Sequence, residues 1–171
     1  PPVPYTGRSR VLPNGDYAFS RFGFHTRTLR GMDAEPVELR IELPPDLYAP
    51  ESAMVELDLH LAYGAGMRSD SVLNLHLNGQ FETSIALADA AGGNYRHYRV
   101  KLPLRSLQPG PNSIELRPLM IPMVSGECTL VNTDNLVITL FQDSRLIMPN
   151  ASHFANLPDL RLLSLTGFPH T

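Results

Sequence analysis

The residues with most chemistry to offer lie just past the middle of the chain. Tyr95, Arg96, His97 and Arg99 follow the flexible stretch Gly92-Gly93-Asn94. A ring with imidazole and guanidinium groups beside it suits sugar binding in water. The ring lies under the apolar face of a pyranose, and planar polar side chains bond its hydroxyls. In strand parity Tyr95, His97, Arg99 and Lys101 share the outward face, opposite Tyr98, Val100 and Leu102. Tyr95, Arg96, His97 and Arg99 are therefore the expected carbohydrate contact. A tyrosine capping the edge of a sandwich is the plainer reading of Tyr95. Tyr48 and Tyr17, in proline- or glycine-bounded loops, are weaker ring candidates, and Tyr63 and Tyr98 fall on core parity.

A second polar set comes from two adjacent alternating stretches. If Leu61 neighbours Leu73, parity puts Glu56, Asp58 and His60 on one face with Asn74, His76 and Asn78. Cross-strand neighbours stand about 5 Å apart, close enough to share a metal. A solvated sheet face is the first reading, a hydrogen-bonding sugar face the second and a metal the last; no metal or other cofactor is expected. Hydrolysis by a carboxylate pair needs two acids in a cleft with separated pKa values, which a flat face does not offer. No Gly-x-Ser-x-Gly elbow, phosphate loop, dinucleotide fingerprint or Cys-x-x-Cys pair is present, and Gly64-Ala65-Gly66 reads as a loop between strands. The expectation is a module that is not an enzyme. The single cysteine, Cys128, cannot pair within the chain; a small buried apolar side chain is its first reading, and a partner cysteine outside this stretch the alternative.

The elements that must position these residues are strands. Val37-Glu38-Leu39-Arg40-Ile41-Glu42-Leu43 alternates without exception, and Met54 to Tyr63 repeats the pattern. Leu73, Leu75 and Leu77 follow, then Asn78-Gly79, a strong hairpin signal, leading into the stretch from Phe81 to Leu87. Further strands fall at residues 95–102, 113–117, 136–140 and 145–148. Pro109-Gly110-Pro111-Asn112 and Asp143-Ser144 read as turns, and residues 86–91 and 104–107 as single helical turns. About eight short strands with one apolar face each predict an all-β, antiparallel β-sandwich or jelly roll. Residues 118–134 read as a long irregular loop. The module is expected over 1–150, with 151–171 a connector toward a following domain.

Composition agrees with one folded unit. The 171 residues are 43% hydrophobic and 18% charged, near globular averages. Sixteen prolines favour short strands over helices, and the absence of tryptophan argues against tight binding to a flat crystalline surface. A net charge of -3 supplies no electrostatic footprint for nucleic acid or anionic membrane. The chain starts at Pro1 with neither a signal peptide nor a spanning apolar run, and reads as a soluble piece excised from a larger protein.

One resemblance is specific in combination. Cys128, then Asn132-Thr133-Asp134-Asn135, the strand from Leu136 to Phe141 and Asp143-Ser144-Arg145-Leu146 resemble the second carbohydrate-binding module of the bacterial cellulose synthase B subunit. Phe22-Gly23-Phe24, Thr28-Leu29-Arg30-Gly31 and the stretch from Leu75 to Gly79 are similar upstream. Phe154-Ala155-Asn156-Leu157-Pro158-Asp159-Leu160 and Thr166-Gly167-Phe168-Pro169 resemble the connector into a flavodoxin-like domain, although His170 stands where a further aromatic is expected. The resemblance implies a carbohydrate-binding-module-like jelly roll within a periplasmic protein anchored in the inner membrane of a Gram-negative bacterium. It implies association with the catalytic A subunit and with other domains or copies of the B subunit. It also implies weak contact with a single chain of nascent cellulose during biosynthesis and export. The family carries a cyclic-di-GMP label, yet no arginine-rich pocket motif for that dinucleotide is visible. A purely structural spacer or oligomerisation module with a vestigial sugar site is the competing expectation.

Overall fold

Alternation of apolar and polar residues becomes strand throughout the computed structural model, which describes residues 10–123, 133–150 and 152–153. In chain order the strands are β1 (Asp16–Ala18), β2 (Arg27–Arg30), β3 (Val37–Leu43), β4 (Leu47–Tyr48), β5 (Met54–Tyr63) and β6 (Val72–Leu77). They continue as β7 (Gln80–Ala86), β8 (Gly93–Pro103), β9 (Gly110–Leu119), β10 (Val137–Leu140), β11 (Arg145–Ile147) and β12 (Ser152–His153). The helical content of the described residues is two short 3-10 segments, Phe19–Phe22 and Leu104–Ser106.

Two antiparallel sheets form the body. One has the order β3-β9-β6-β7. In the other, β10 and β11 lie end to end along one side of β5, β8 runs along its opposite side, and β1 and β2 pair outside β11 and β10. From β2 to β10 the chain changes sheet at every connection between major strands except the β6–β7 hairpin. That alternation is the jelly roll. Asn78 at φ 50° and Gly79 at φ 82° make the two-residue turn that lets this hairpin close with the right twist.

The core lies between the sheets. Val55, Leu57, Leu59 and Leu61 of β5 are fully buried, as are Leu73 and Leu75 of β6 and Ile85 of β7. Each such side chain contributes roughly 1.5–3 kcal/mol by leaving water, so period-two leucines are enough to select which face turns inward.

Several expectations need correcting. β5 and β6 belong to different sheets, so Glu56, Asp58 and His60 stand on one outer face and Asn74, His76 and Asn78 on the opposite side of the molecule. The loop between Tyr63 and Val72 crosses from sheet to sheet instead of closing a hairpin. Asp143-Ser144 does not turn β10 back on β11. It interrupts one continuous row, and Ser144 fills the gap: its hydroxyl accepts from the His60 N–H at 2.9 Å and donates to the His60 carbonyl at 3.3 Å. Residues 86–91 form no helical turn, whereas Leu104–Ser106 does. Gly110-Pro111-Asn112 already belongs to β9, and Tyr17 belongs to β1. The buried Asn112 amide donates to the Gln108 and Gly110 carbonyls. Cys128, the Tyr48 side chain, most of the 118–134 loop and residues 154–171 of the connector lie outside the described residues.

Candidate functional site

The outer face of the β5 sheet gathers the charged residues that parity singled out. Glu56, Asp58 and His60 project from β5, the central strand, and their partners come from both neighbours. Arg99 Nη1 lies 3.2 Å from Glu56 Oε1, and His97 Nδ1 lies 3.1 Å from Asp58 Oδ2. On the other side His60 Nδ1 is 2.8 Å from Asp143 Oδ1, and its ring stacks on Phe141 with centroids 4.1 Å apart. Farther out, Arg145 Nε donates to Asp16 Oδ1 at 2.6 Å. Asp58 is buried although its face is the wet one, only 7% exposed. Arg99 and Arg145 stand opposite it on the flanking strands, turned to Glu56 and Asp16, while His97 takes the carboxylate itself. The result is a layer of ion pairs, each exposed pair of small energetic weight.

Of the four expected contact residues, His97 and Arg99 share this face, and Arg96 is exposed beside them. Tyr95 turns the other way. Leu59 pairs with Tyr98 and Leu61 with Tyr95, so three steps along β8 match two along β5. This β-bulge reverses the parity and sends Tyr95 to the same side as Tyr98. Tyr95 is half-buried against the core, its ring centroid 5.8 Å from that of Tyr63 and 5.1 Å from that of Tyr98. Its hydroxyl donates to the Ala86 carbonyl at 3.2 Å. The Tyr63 hydroxyl, with burial second, pushes the Tyr95 phenol up to about 12. Tyr63 is buried and Tyr98 packs against the core, as their parity suggested. The structure thus splits the expected patch, keeping imidazole and guanidinium outside and drawing the ring in.

Two features escaped the reading of residues. Phe81 is 58% exposed on the outward side of β7 and meets His76 edge-on at 5.7 Å. Its position in an alternating strand was legible, but its exposure was not, because a second bulge, between Leu75 and His76, sets its direction. The stack of His60 on Phe141 joins residues 81 apart, and no local pattern signals it. Among the described residues no group of three or more His, Cys, Asp or Glu side chains is placed to hold a metal. Polar side chains on a smooth sheet surface can bond hydroxyls; nothing in this arrangement encloses a reacting atom.

Comparison with known protein sequences gives one consistent answer. The family described as "Cellulose synthase BcsB, second CBM domain" matches residues 17–145. A "Cyclic di-GMP-binding protein" of Salmonella typhi is 26% identical over 186 residues, covering 97% of this chain and 24% of that protein. The protein of the same name from Escherichia coli strain K12 is 24% identical over 189 residues, covering 99% of this chain and 24% of its own length. Its counterpart in Pseudomonas fluorescens strain SBW25 is 27% identical over 160 residues, covering 84% of this chain and 21% of that protein. The chain thus spans about a quarter or less of these curated relatives.

Proposed function

The chain belongs to the cellulose synthase BcsB second CBM domain family, and from that premise we propose that it is a non-catalytic module contacting nascent β-1,4-glucan. In this reading the glucan is guided during synthesis and export. The parent protein sits in the periplasm, anchored in the inner membrane, and works with the catalytic A subunit and other copies of the B subunit. The nucleotide in the relatives' name belongs to proteins about four times this length and is not carried to this module.

The observation that supports glucan contact is the ridge of β8, an edge strand on which Arg96, His97 and Arg99 stand exposed. The Asp58 carboxylate bonds His97 at Nδ1, which leaves Nε2 of an imidazole 74% exposed as the outward group. Tyr95 acts from beneath, fixing the bulge that aims the ridge. Titrating the isotope-labelled chain with cello-oligosaccharides tests this. Amide shifts confined to the β8 side support the proposal, and silence at millimolar sugar would sink it.

One observation favours a structural spacer instead. The tyrosine expected under the sugar is held inward, and most charges of the outer face are engaged with one another. A spacer would leave the amide spectrum unmoved by sugar.

A further inference from the structure

The ring that the β8 ridge lacks stands across the edge of the sandwich. β7 is the last strand of its sheet and β8 an outer strand of the other, and residues 87–92 carry the chain between them. The Tyr95–Ala86 hydrogen bond ties the two edges together, so both lie on one side of the molecule. Toward the other end of β7, Gln80, Phe81 and Glu82 face Arg105 and Gln108 across an open cleft of about 410 Å³.

Phe81 is unusual there. Among the described residues it is the one aromatic among the exposed large hydrophobic side chains, and a phenyl ring left in water forgoes burial that most such rings obtain. His76, edge-on at an interplanar angle of 74°, supports it from one side. A surface for docking a protein would surround it with further exposed apolar area, but Leu77 and Leu107 of the cleft are buried and its exposed neighbours include an amide, a carboxylate and a guanidinium. Among the described residues, the side chains of Gln80, Glu82 and Arg105 make no hydrogen bond or ion pair. Gln108 uses its Nε2 on the Pro111 carbonyl and keeps Oε1 available. Asn78 is structural, its amide engaged by Asn112 and by the Ser113 N–H. One isolated ring amid uncommitted planar polar groups matches a pyranose, whose C–H face stacks on the ring while its hydroxyls meet the polar groups. Glu82 and Arg105 carry opposite charges, which suits a neutral sugar.

We propose that the Phe81 cleft is a sugar subsite that takes one glucosyl ring of a neutral glucan, set across the β7–β8 edge from the β8 ridge. This rests on the glucan contact proposed above. The test is an amide-shift titration of the 171-residue chain with cellohexaose, repeated on Phe81→Ala, Phe81→Tyr and Arg99→Ala. Shifts are expected at Phe81, Glu82, Arg105 and Gln108. Phe81→Ala should weaken the apparent affinity by about three- to tenfold, while Phe81→Tyr, which keeps a ring, retains it. Shifts along β8 that Phe81→Ala leaves unchanged would overturn the subsite and leave the glucan contact standing. A spectrum silent throughout would overturn both.

Discussion

Tyr95 lies directly opposite Leu61 in the β5–β8 pair and therefore points where Leu61 points, toward the interior. The cause is local: one extra residue in β8 between Tyr95 and Tyr98 breaks the alternation that would have aimed Tyr95 at solvent. The bulge separates the expected binding patch into a packed ring and an exposed ridge.

Tyr95 should therefore ionise late. Its folded-state pKa is raised to about 12 from an unfolded value of about 10. A raised value means that the stability it confers is fully present below about pH 10 and is lost as pH rises through about 12. A spectroscopic phenolate titration should show a late transition that Tyr95→Phe removes. If every tyrosine ionised together near the ordinary value, the inward placement would be wrong.

Gly93→Ala should destabilise the β8 start. A Cβ there would sit 2.6 Å from Tyr63 Cε1 and 2.8 Å from its hydroxyl. That hydroxyl accepts from the Asp89 N–H, so the ring cannot simply swing away. Denaturant unfolding should report a loss of about 1–3 kcal/mol, the usual cost of overpacking.

Asp58 and His97 should contribute unequally. His97 is largely exposed, so His97→Ala should cost less than about 1 kcal/mol and less again in high salt. Asp58 is buried at the centre of this layer of ion pairs, and Asp58→Ala should cost about 1–3 kcal/mol by removing the carboxylate that bonds His97 and leaving its buried site unfilled. Equal effects in urea melts would contradict the buried placement of the Asp58 carboxylate.

Leu57→Ala tests the core. Leu57 is wholly buried between the sheets, and its truncation should cost about 2–5 kcal/mol in equilibrium unfolding. The unfolding slope should stay unchanged if the native sandwich survives.

The sequence alone determined the eight longer-patterned strands and which face of most of them is buried, but not the short β1, β2, β4 and β12. Val37–Leu43, Met54–Tyr63 and the Asn78-Gly79 hairpin were legible because period-two alternation and turn chemistry are local properties, set by residues one or two apart. The family was legible too, in the Leu136-to-Leu146 stretch. Only the tertiary structure decided which sheet each strand joined, and hence that His60 and His76 face opposite ways. It also decided the direction of Tyr95 and Phe81. A bulge is defined by a mismatch between two paired strands, so no single strand contains the information that would reveal it.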